Sequence, residues 1–384
     1  MKILNIVIFG LSITSSWGNG HATTFRSLAK ALSRRGHKIT FFEKDVPWYA
    51  AHRDLPSPGF CSTILYHSLD EVNAYEATIA HADLVILGSY VADAEQLAKT
   101  ISALSPACFA FYDIDTPVTL EALNNDQCAY LTAAMIPMFD VYLSFTGGPT
   151  LNKLEQEYGA QRTYPLYCSV DPELYFPETI TVGILEKTFP MQYALGYLGT
   201  YSSDRQPTIE KLLLETARRA SDKYFCVAGA QYSANINWPG NVKQIEHIPP
   251  HQHRHFYNSQ QFTLNVTRRA MITAGYSPSV RLFEAGACGT PIISDYWEGL
   301  DSFFTIGEEI LVAQSTDEMI EYLNMSPDDR LAIGRRMWQK IQHNHTSTQR
   351  AIEIEELWQM ITAQAFTTHI FPATQFNATQ YQRT

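Results

Sequence analysis

The chain is predicted to fold as two doubly wound α/β domains in tandem, each built on a parallel sheet. Three observations predict this. Short continuous apolar runs alternate with segments of helical periodicity along most of the sequence, the rhythm of strand–helix–strand units. That rhythm is interrupted once, by a Pro-, Glu- and Thr-rich stretch from Val170 to Thr188. The length of 384 residues also exceeds what one hydrophobic core usually serves.

The first domain is expected over residues 1–172. Ile3 to Phe9 is an apolar run suited to a strand buried on both faces. A small-residue turn through Trp17, Gly18, Asn19 and Gly20 follows, and Phe25, Leu28, Ala29 and Leu32 recur at helical spacing. Gly36 stands where a helix-ending glycine belongs, and Lys38 to Glu43 forms the next strand. Strand, helix, strand in this order implies parallel pairing. Further strands are expected at Leu84 to Leu87, Ala107 to Tyr112 and Val141 to Ser144. In the linker, Pro172 and Pro177 discourage regular helix.

The second domain, residues 173–345, repeats the rhythm. Strands are expected at Ala194 to Leu198, Tyr224 to Ala228, Val242 to Ile245, Phe262 to Val266 and Pro291 to Ser294, with helices at Ile209 to Arg219 and Ser279 to Cys288. Two helices close the chain, Pro327 to His343 and Thr348 to Ala363. The second, within residues 346–364, carries apolar positions at Ile352, Ile354, Leu357, Met360 and Ile361. Residues 365–384, rich in Thr and Gln, read as a loose tail.

Composition narrows the function classes. An apolar share of 45% and a charged share of 17% are those of a globular protein. A formal charge of -11 disfavours nucleic acid and anionic lipid as partners. Arg34, Arg35, His37 and Lys38 form a local basic cluster that reads as a solvated helix end. The six cysteines include no CxxC and fit apolar contexts, as in a reducing, cytoplasmic compartment. The opening apolar run is too short for a signal segment, and no stretch approaches the roughly 18–20 apolar residues that span a bilayer, so lipid would be met only from the surface.

The most informative stretch is Ala274 to Asp301. Ser277 followed by Pro278 predicts a helix start whose free backbone donors suit a diphosphate. Arg281 and Glu284, three apart, share one face of that helix. A carboxylate there is placed to accept from ribose hydroxyls, unless the two residues form an ordinary surface ion pair. Gly286, Ala287 and Gly289 keep the helix and its turn thin against the strand that follows.

The run RLFEAGACGTPIISD resembles the nucleotide-binding segment of group 1 glycosyltransferases, especially the branch of spore-maturation-type glycosyltransferases. The resemblance implies the GT-B architecture, in which two α/β domains face each other across a cleft, with a nucleotide-diphosphate sugar such as a UDP-sugar as co-substrate and no bound metal or other cofactor. It implies that Glu284 holds the ribose and that the loop of Tyr276, Ser277 and Ser279 ahead of the helix, with Arg281, meets the diphosphate. Retaining members carry a second glutamate eight positions before the first. Here that position is Tyr276, which leaves the stereochemistry open. Gly199 and Thr200 lie in the strand-to-loop run Tyr197 to Arg205, where GT-B enzymes bring a backbone amide and a basic side chain to the donor phosphates, and Arg205 is the cation available. The two closing helices resemble the GT-B pattern in which the chain crosses back to pack on the first domain.

By the same resemblance the first domain binds the acceptor, a small molecule, glycan or lipid-linked sugar, and Trp17, Gly18, Asn19 and Gly20 contribute to the cleft. An inverting enzyme needs a base for the acceptor hydroxyl, and His21 is the preferred candidate. Asp113 and Asp115 are the others: two apart at a strand end, both carboxylates are expected to face the cleft. Their DxD spelling is also the metal motif of the GT-A architecture, a use discounted because the donor site is already placed in the second half. His251, His253 and His255 read as a polar loop before a helix rather than a metal site.

Two other classes compete. Gly18-Asn-Gly20 after a first strand, with Glu43 ending the second, mimics the fingerprint of an NAD-type dinucleotide-dependent oxidoreductase, though Thr23 replaces its third glycine. A non-catalytic nucleotide-sugar-binding protein would accommodate Tyr276 in place of the glutamate.

Overall fold

The computed structural model describes residues 2–17, 20–178 and 192–370, with side chains described as far as residue 363. The first sheet contains β1 (Asn5–Gly10), β2 (Lys38–Lys44), β3 (Ser62–Tyr66), β4 (Leu84–Gly88), β5 (Phe109–Asp113), β6 (Val141–Ser144) and β7 (Thr163–Pro165). All pair in parallel, in the order β3-β2-β1-β4-β5-β6-β7. The second contains β8 (Tyr193–Leu198), β9 (Phe225–Ala228), β10 (Val242–Ile245), β11 (Gln260–Asn265), β12 (Ile292–Ser294) and β13 (Leu311–Val312), also parallel, in the order β10-β9-β8-β11-β12-β13. In each sheet the strand order reverses beside the first strand, which opens a crevice at the carboxyl ends.

Alternation along the strands explains the burial on both sheet faces. In β1, Ile6 and Ile8 enter one core while Val7 and Phe9 enter the other. The first of these cores runs on through Leu166, Cys168 and Val170 to Leu282, Phe283 and the closing helices, so the two domains share apolar packing. Three strands were not expected from sequence: β3, β7 and β13. Each is an edge strand, and the short half-buried β7 shows why: an edge needs no long apolar run.

At the start of the expected linker Val170 bridges to Thr346, and the Asp171 carboxylate binds Lys30 Nζ at 2.6 Å. Its later part, residues 179–191, lies outside the described residues. The expected helix Ile209 to Arg219 starts earlier, at Gln206, and carries a π-helical turn at Glu210–Leu214. The last helix spans Ser347–Ile370, six residues into the stretch read as tail.

That helix packs on the first domain. Ile354, Leu357 and Ile361 meet Leu84, Cys108, Ala110, Val141 and Leu143, and Trp358 Nε1 donates to Asp83 O at 2.8 Å. Arg34 and Lys38 of the basic cluster are exposed as a solvated helix end would have them, but Arg35 and His37 are not. Arg35 and His37 hold Glu355 at 2.5 and 2.8 Å, and Arg34 pairs with Glu173. Among the described residues no helix is long and apolar enough to cross a membrane.

Candidate functional site

The carboxyl ends of the two sheets face a cleft of about 1210 Å³. Its walls include Pro117, Val118 and Glu121 from the helix after β5, Thr150 and Lys153 from the Pro149–Gln156 helix, and Asp204, Arg268 and Arg269 from the second domain.

The informative helix is Val280–Ala287 and its N-cap is Ser279, whose hydroxyl accepts from Arg281 N at 3.4 Å. The start predicted at Ser277 and Pro278 is two residues too early. Ser277 is buried with its hydroxyl 2.8 Å from Thr146 Oγ1 of the first domain, so it cannot cap. Tyr276 also crosses the cleft: its carbonyl accepts from Gly147 N at 2.9 Å. Its ring lies where side chains on Gly148 and Gly299 would have to stand, a Cβ on either falling within 2.3 and 2.5 Å of it.

Arg281 and Glu284 are both buried and do not pair. Arg281 Nε donates to Leu198 O at 2.8 Å and Nη1 to Asn265 Oδ1 at 2.7 Å, with the guanidinium over the Tyr197 ring at 4.8 Å. Glu284 Oε2 accepts from Tyr257 Oη at 3.0 Å and lies 3.9 Å from His253 Nδ1. The alternative of a simple surface ion pair is thereby removed. His251, His253 and His255 belong to the Pro250–Asn258 helix rather than to a loop, and His253 Nε2 lies 3.0 Å from Ile248 O.

Arg205 is buried beside them. Its Nη2 donates to Thr200 O at 2.5 Å, while its buried Nε has no hydrogen-bond partner among the described residues. Burial lowers its pKa, and the charges of Arg281 and Arg268 lower it further. Arg205 and Arg281 thus both reach the Leu198–Thr200 loop, where Gly199 N bonds Ala228 O at 2.8 Å. Gly199 is also pinned: a Cβ there would meet Tyr197 Oη at 2.6 Å. A buried guanidinium with an unsatisfied donor has the chemistry to take an anion.

On the first domain, His21 is the first residue of the His21–Arg34 helix, as expected. Burial lowers its pKa to about 4, and its buried Nδ1 has no hydrogen-bond partner among the described residues. Trp17 is 49% exposed and stacks on His52 at 4.5 Å. Gly20 is exposed and accepts Thr23 Oγ1 at 2.8 Å. Gly18 and Asn19 lie outside the described residues.

The expectation that Asp113 and Asp115 face the cleft together fails. Asp113 ends β5 fully buried, with Oδ2 accepting from Tyr142 Oη at 2.5 Å and Oδ1 from Thr119 Oγ1 at 2.8 Å. Burial raises its pKa to about 6. Asp115 lies past the strand, as N-cap of the Thr116–Asn124 helix, where period-two alternation no longer applies. It accepts from Tyr90 Oη at 3.3 Å, and burial raises its pKa although Arg268 opposes this from across the cleft. Tyr90, Arg268 and Tyr257 were not singled out from sequence. The Arg268-Arg269 pair just past a strand's carboxyl end was the one visible signal.

Residues 205–356 match a family described as glycosyl transferase-like. Solved structures similar over nearly the whole chain include a sucrose-phosphate synthase from Thermosynechococcus elongatus, at 13% identity and a TM-score of 0.64, covering 94% of this chain and 100% of that one. An alpha-glucosyltransferase in complex with UDP-glucose and DNA containing an abasic site aligns at 14% identity and 0.67, with the same coverage. Anabaena HepE in complex with UDP-glucose aligns at 12% and 0.63, covering 93% and 100%. No curated protein sequence gives a significant match. The fold is GT-B. Within GT-B terms, the matched segment begins at Arg205 and includes Arg268, Arg281 and Glu284, so it holds the whole cationic cluster and the carboxylate behind it.

Proposed function

We propose that the chain is a glycosyltransferase that moves a hexose from a nucleotide-diphosphate donor, a UDP-sugar, to an acceptor without a bound metal ion. The observation that carries this is that Arg205 and Arg281 both reach the Leu198–Thr200 loop at the carboxyl end of the second sheet, with Arg268 in the cleft wall and a buried Arg205 Nε without a partner among the described residues. Guanidiniums there supply the charge that a divalent ion would otherwise bring to a diphosphate. Glu284, one turn further along the Val280–Ala287 helix, is the ribose ligand in this reading. Group 1 membership of the spore-maturation-type branch rests on RLFEAGACGTPIISD alone. The charge of -11 favours a glycan, lipid-linked sugar or small molecule over nucleic acid as acceptor, and the cysteine usage favours a cytoplasmic setting.

A DxD metal site is disfavoured because the Asp113 carboxylate is already committed to Tyr142 and Thr119. The dinucleotide reading is disfavoured in the same way. Glu43 is buried and accepts Ile13 N at 2.6 Å, Thr14 N at 2.9 Å and Thr14 Oγ1 at 2.6 Å, so it clamps its own loop rather than a ribose.

Isothermal titration calorimetry with UDP in the presence of a chelator tests the proposal. Arg205→Ala removes one charge-assisted partner, worth about 1.5–3 kcal/mol, so affinity should fall roughly 10- to 100-fold. Unchanged affinity removes the donor-site assignment. Binding that vanishes with chelator revives the metal reading. Slow release of glucose from UDP-glucose separates an enzyme from a non-catalytic binder.

A further inference from the structure

We infer that Tyr90 is a positioning residue for the acceptor side of the cleft, fixing at once the imidazole of His21 and the carboxylate of Asp115. The inference rests on the transferase reading for its chemistry, but its geometry stands independently.

His21, Tyr90 and Asp115 follow β1, β4 and β5, which are neighbours in the sheet, so their side chains meet at one carboxyl-terminal rim. The Tyr90 ring stands edge-on to the His21 ring, with centroids 5.0 Å apart at 90°. Its hydroxyl reaches Asp115 Oδ2 at 3.3 Å. Behind it, the Tyr130 ring lies at 4.4 Å, and Tyr130 Oη is 2.7 Å from Thr119 Oγ1, which in turn holds Asp113. Tyr90 therefore stands between two of the three base candidates and is backed by the network that immobilises the third.

The backbone carries a second, independent sign. Tyr90 has φ +64° and Asp93 φ +56°, so two non-glycine residues within four adopt the left-handed region. A bulky residue there costs on the order of 1–3 kcal/mol and persists only where its surroundings over-determine it. Tyr90 is half-buried, belongs to no strand or helix, and packs on the buried Tyr130 ring at the edge of the core. The conformation places its ring and hydroxyl at the rim. Across the cleft, Arg268 lies near enough to act electrostatically on both Asp115 and Arg205, which joins the acceptor rim to the donor cations.

In the proposed reaction the Tyr90 hydroxyl restrains one oxygen of Asp115 while the other takes the acceptor hydroxyl proton; the acceptor oxygen bonds the anomeric carbon as the sugar–diphosphate bond breaks and its electron pair leaves with the nucleoside diphosphate. His21 is held neutral by exclusion of water. The groups acting on Asp115 are Tyr90, Asp113 and Arg268.

The experiment compares wild type with Tyr90→Phe and Tyr90→Ala, using UDP-glucose with water as acceptor. Tyr90→Phe keeps the ring and should leave UDP affinity and the KM for UDP-glucose unchanged while lowering kcat by about tenfold. Loss of the phenol donor destabilises the ionised Asp115, so the acid limb of the pH profile should move to higher pH. Full kcat with an unmoved limb, in a variant that still binds UDP, overturns the inference. A wild type that neither binds UDP nor hydrolyses UDP-glucose overturns the transferase reading instead. The second arm needs no activity: NMR titration of the His21 imidazole should move from about 4 toward 6.5 in Tyr90→Ala as water reaches the ring. A midpoint that stays in place overturns the inference whether or not the protein is a transferase.

Discussion

Asp113 and Asp115 share a spelling and have opposite fates. Asp113 is buried under hydrogen bonds from Tyr142 and Thr119, and burial lifts its pKa from 3.8 to about 6. Because the folded value lies above the unfolded one, the folded state holds the proton more tightly. The associated stability is complete below about pH 3.8 and is lost as pH rises through 6. Asp113→Asn should therefore flatten the pH dependence of the urea midpoint between pH 4 and 6.5, removing a variation on the order of 2–3 kcal/mol. A variant that keeps the wild-type slope would place that titration elsewhere. Residue types were legible at this scale, since His21, Arg205, Arg281 and Glu284 all sit at the carboxyl ends or on the helix expected of them. Directions were not. Whether a carboxylate faces the cleft depends on where β5 stops, and whether Arg281 meets Glu284 depends on Leu198 and Asn265, which lie far away in sequence.

At the scale of elements, the Val280–Ala287 helix must lie close to both its neighbours. Gly286 faces Met337 and Ile341 of the Pro327–Asn344 helix, where a Cβ would meet side chains at 2.9 Å. Side chains can shift. Gly334, inside that second helix, is different: a Cβ there would fall 2.4 Å from the carbonyl oxygen of Gly289, which is backbone and bound to its turn. Helix propensity alone favours Gly334→Ala by about 1 kcal/mol. Overpacking against a fixed carbonyl costs about 1–3 kcal/mol and should win, so the variant should unfold at lower temperature or urea than wild type. A more stable variant would mean that the turn at Gly289 gives way. Sequence periodicity found the central strands because burial on both faces writes itself as an apolar run. It passed over β3, β7 and β13 because an edge carries no such run, and it put the helix start at Ser277 because the Thr146 hydroxyl that engages that serine belongs to the other domain.

At the scale of the molecule, the chain returns across the domain boundary, and Glu355 adds a charged clamp to the apolar contacts that hold the Ser347–Ile370 helix to the first domain. Glu355 is buried and accepts from Arg35 Nε at 2.5 Å, from Arg35 Nη2 at 2.7 Å and faces His37 Nε2 at 2.8 Å, while His37 Nδ1 accepts from Leu4 N at 3.0 Å. The resemblance to GT-B enzymes implied a bracing helix, but the partner of Arg35 and His37, more than 300 positions away in sequence, could not be read from it. Burial pushes the Glu355 pKa up, yet the hydrogen bonds from Arg35 and His37 outweigh it and hold it below the ordinary value. A lowered carboxylate contributes stability that is present above the unfolded pKa of 4.5 and lost as pH falls through the folded one. Glu355→Gln keeps the shape and removes the charge, so it should lower stability at pH 7 by about 1.5–3 kcal/mol, the worth of charge-assisted hydrogen bonds. The deficit against wild type should shrink as both are acidified below pH 4.5. If the brace couples the domains, the variant should also split a single calorimetric transition into two, with the first domain melting earlier. A single transition at the wild-type temperature would show that the apolar contacts of Ile354, Leu357 and Ile361 hold the helix without help from the ion pair.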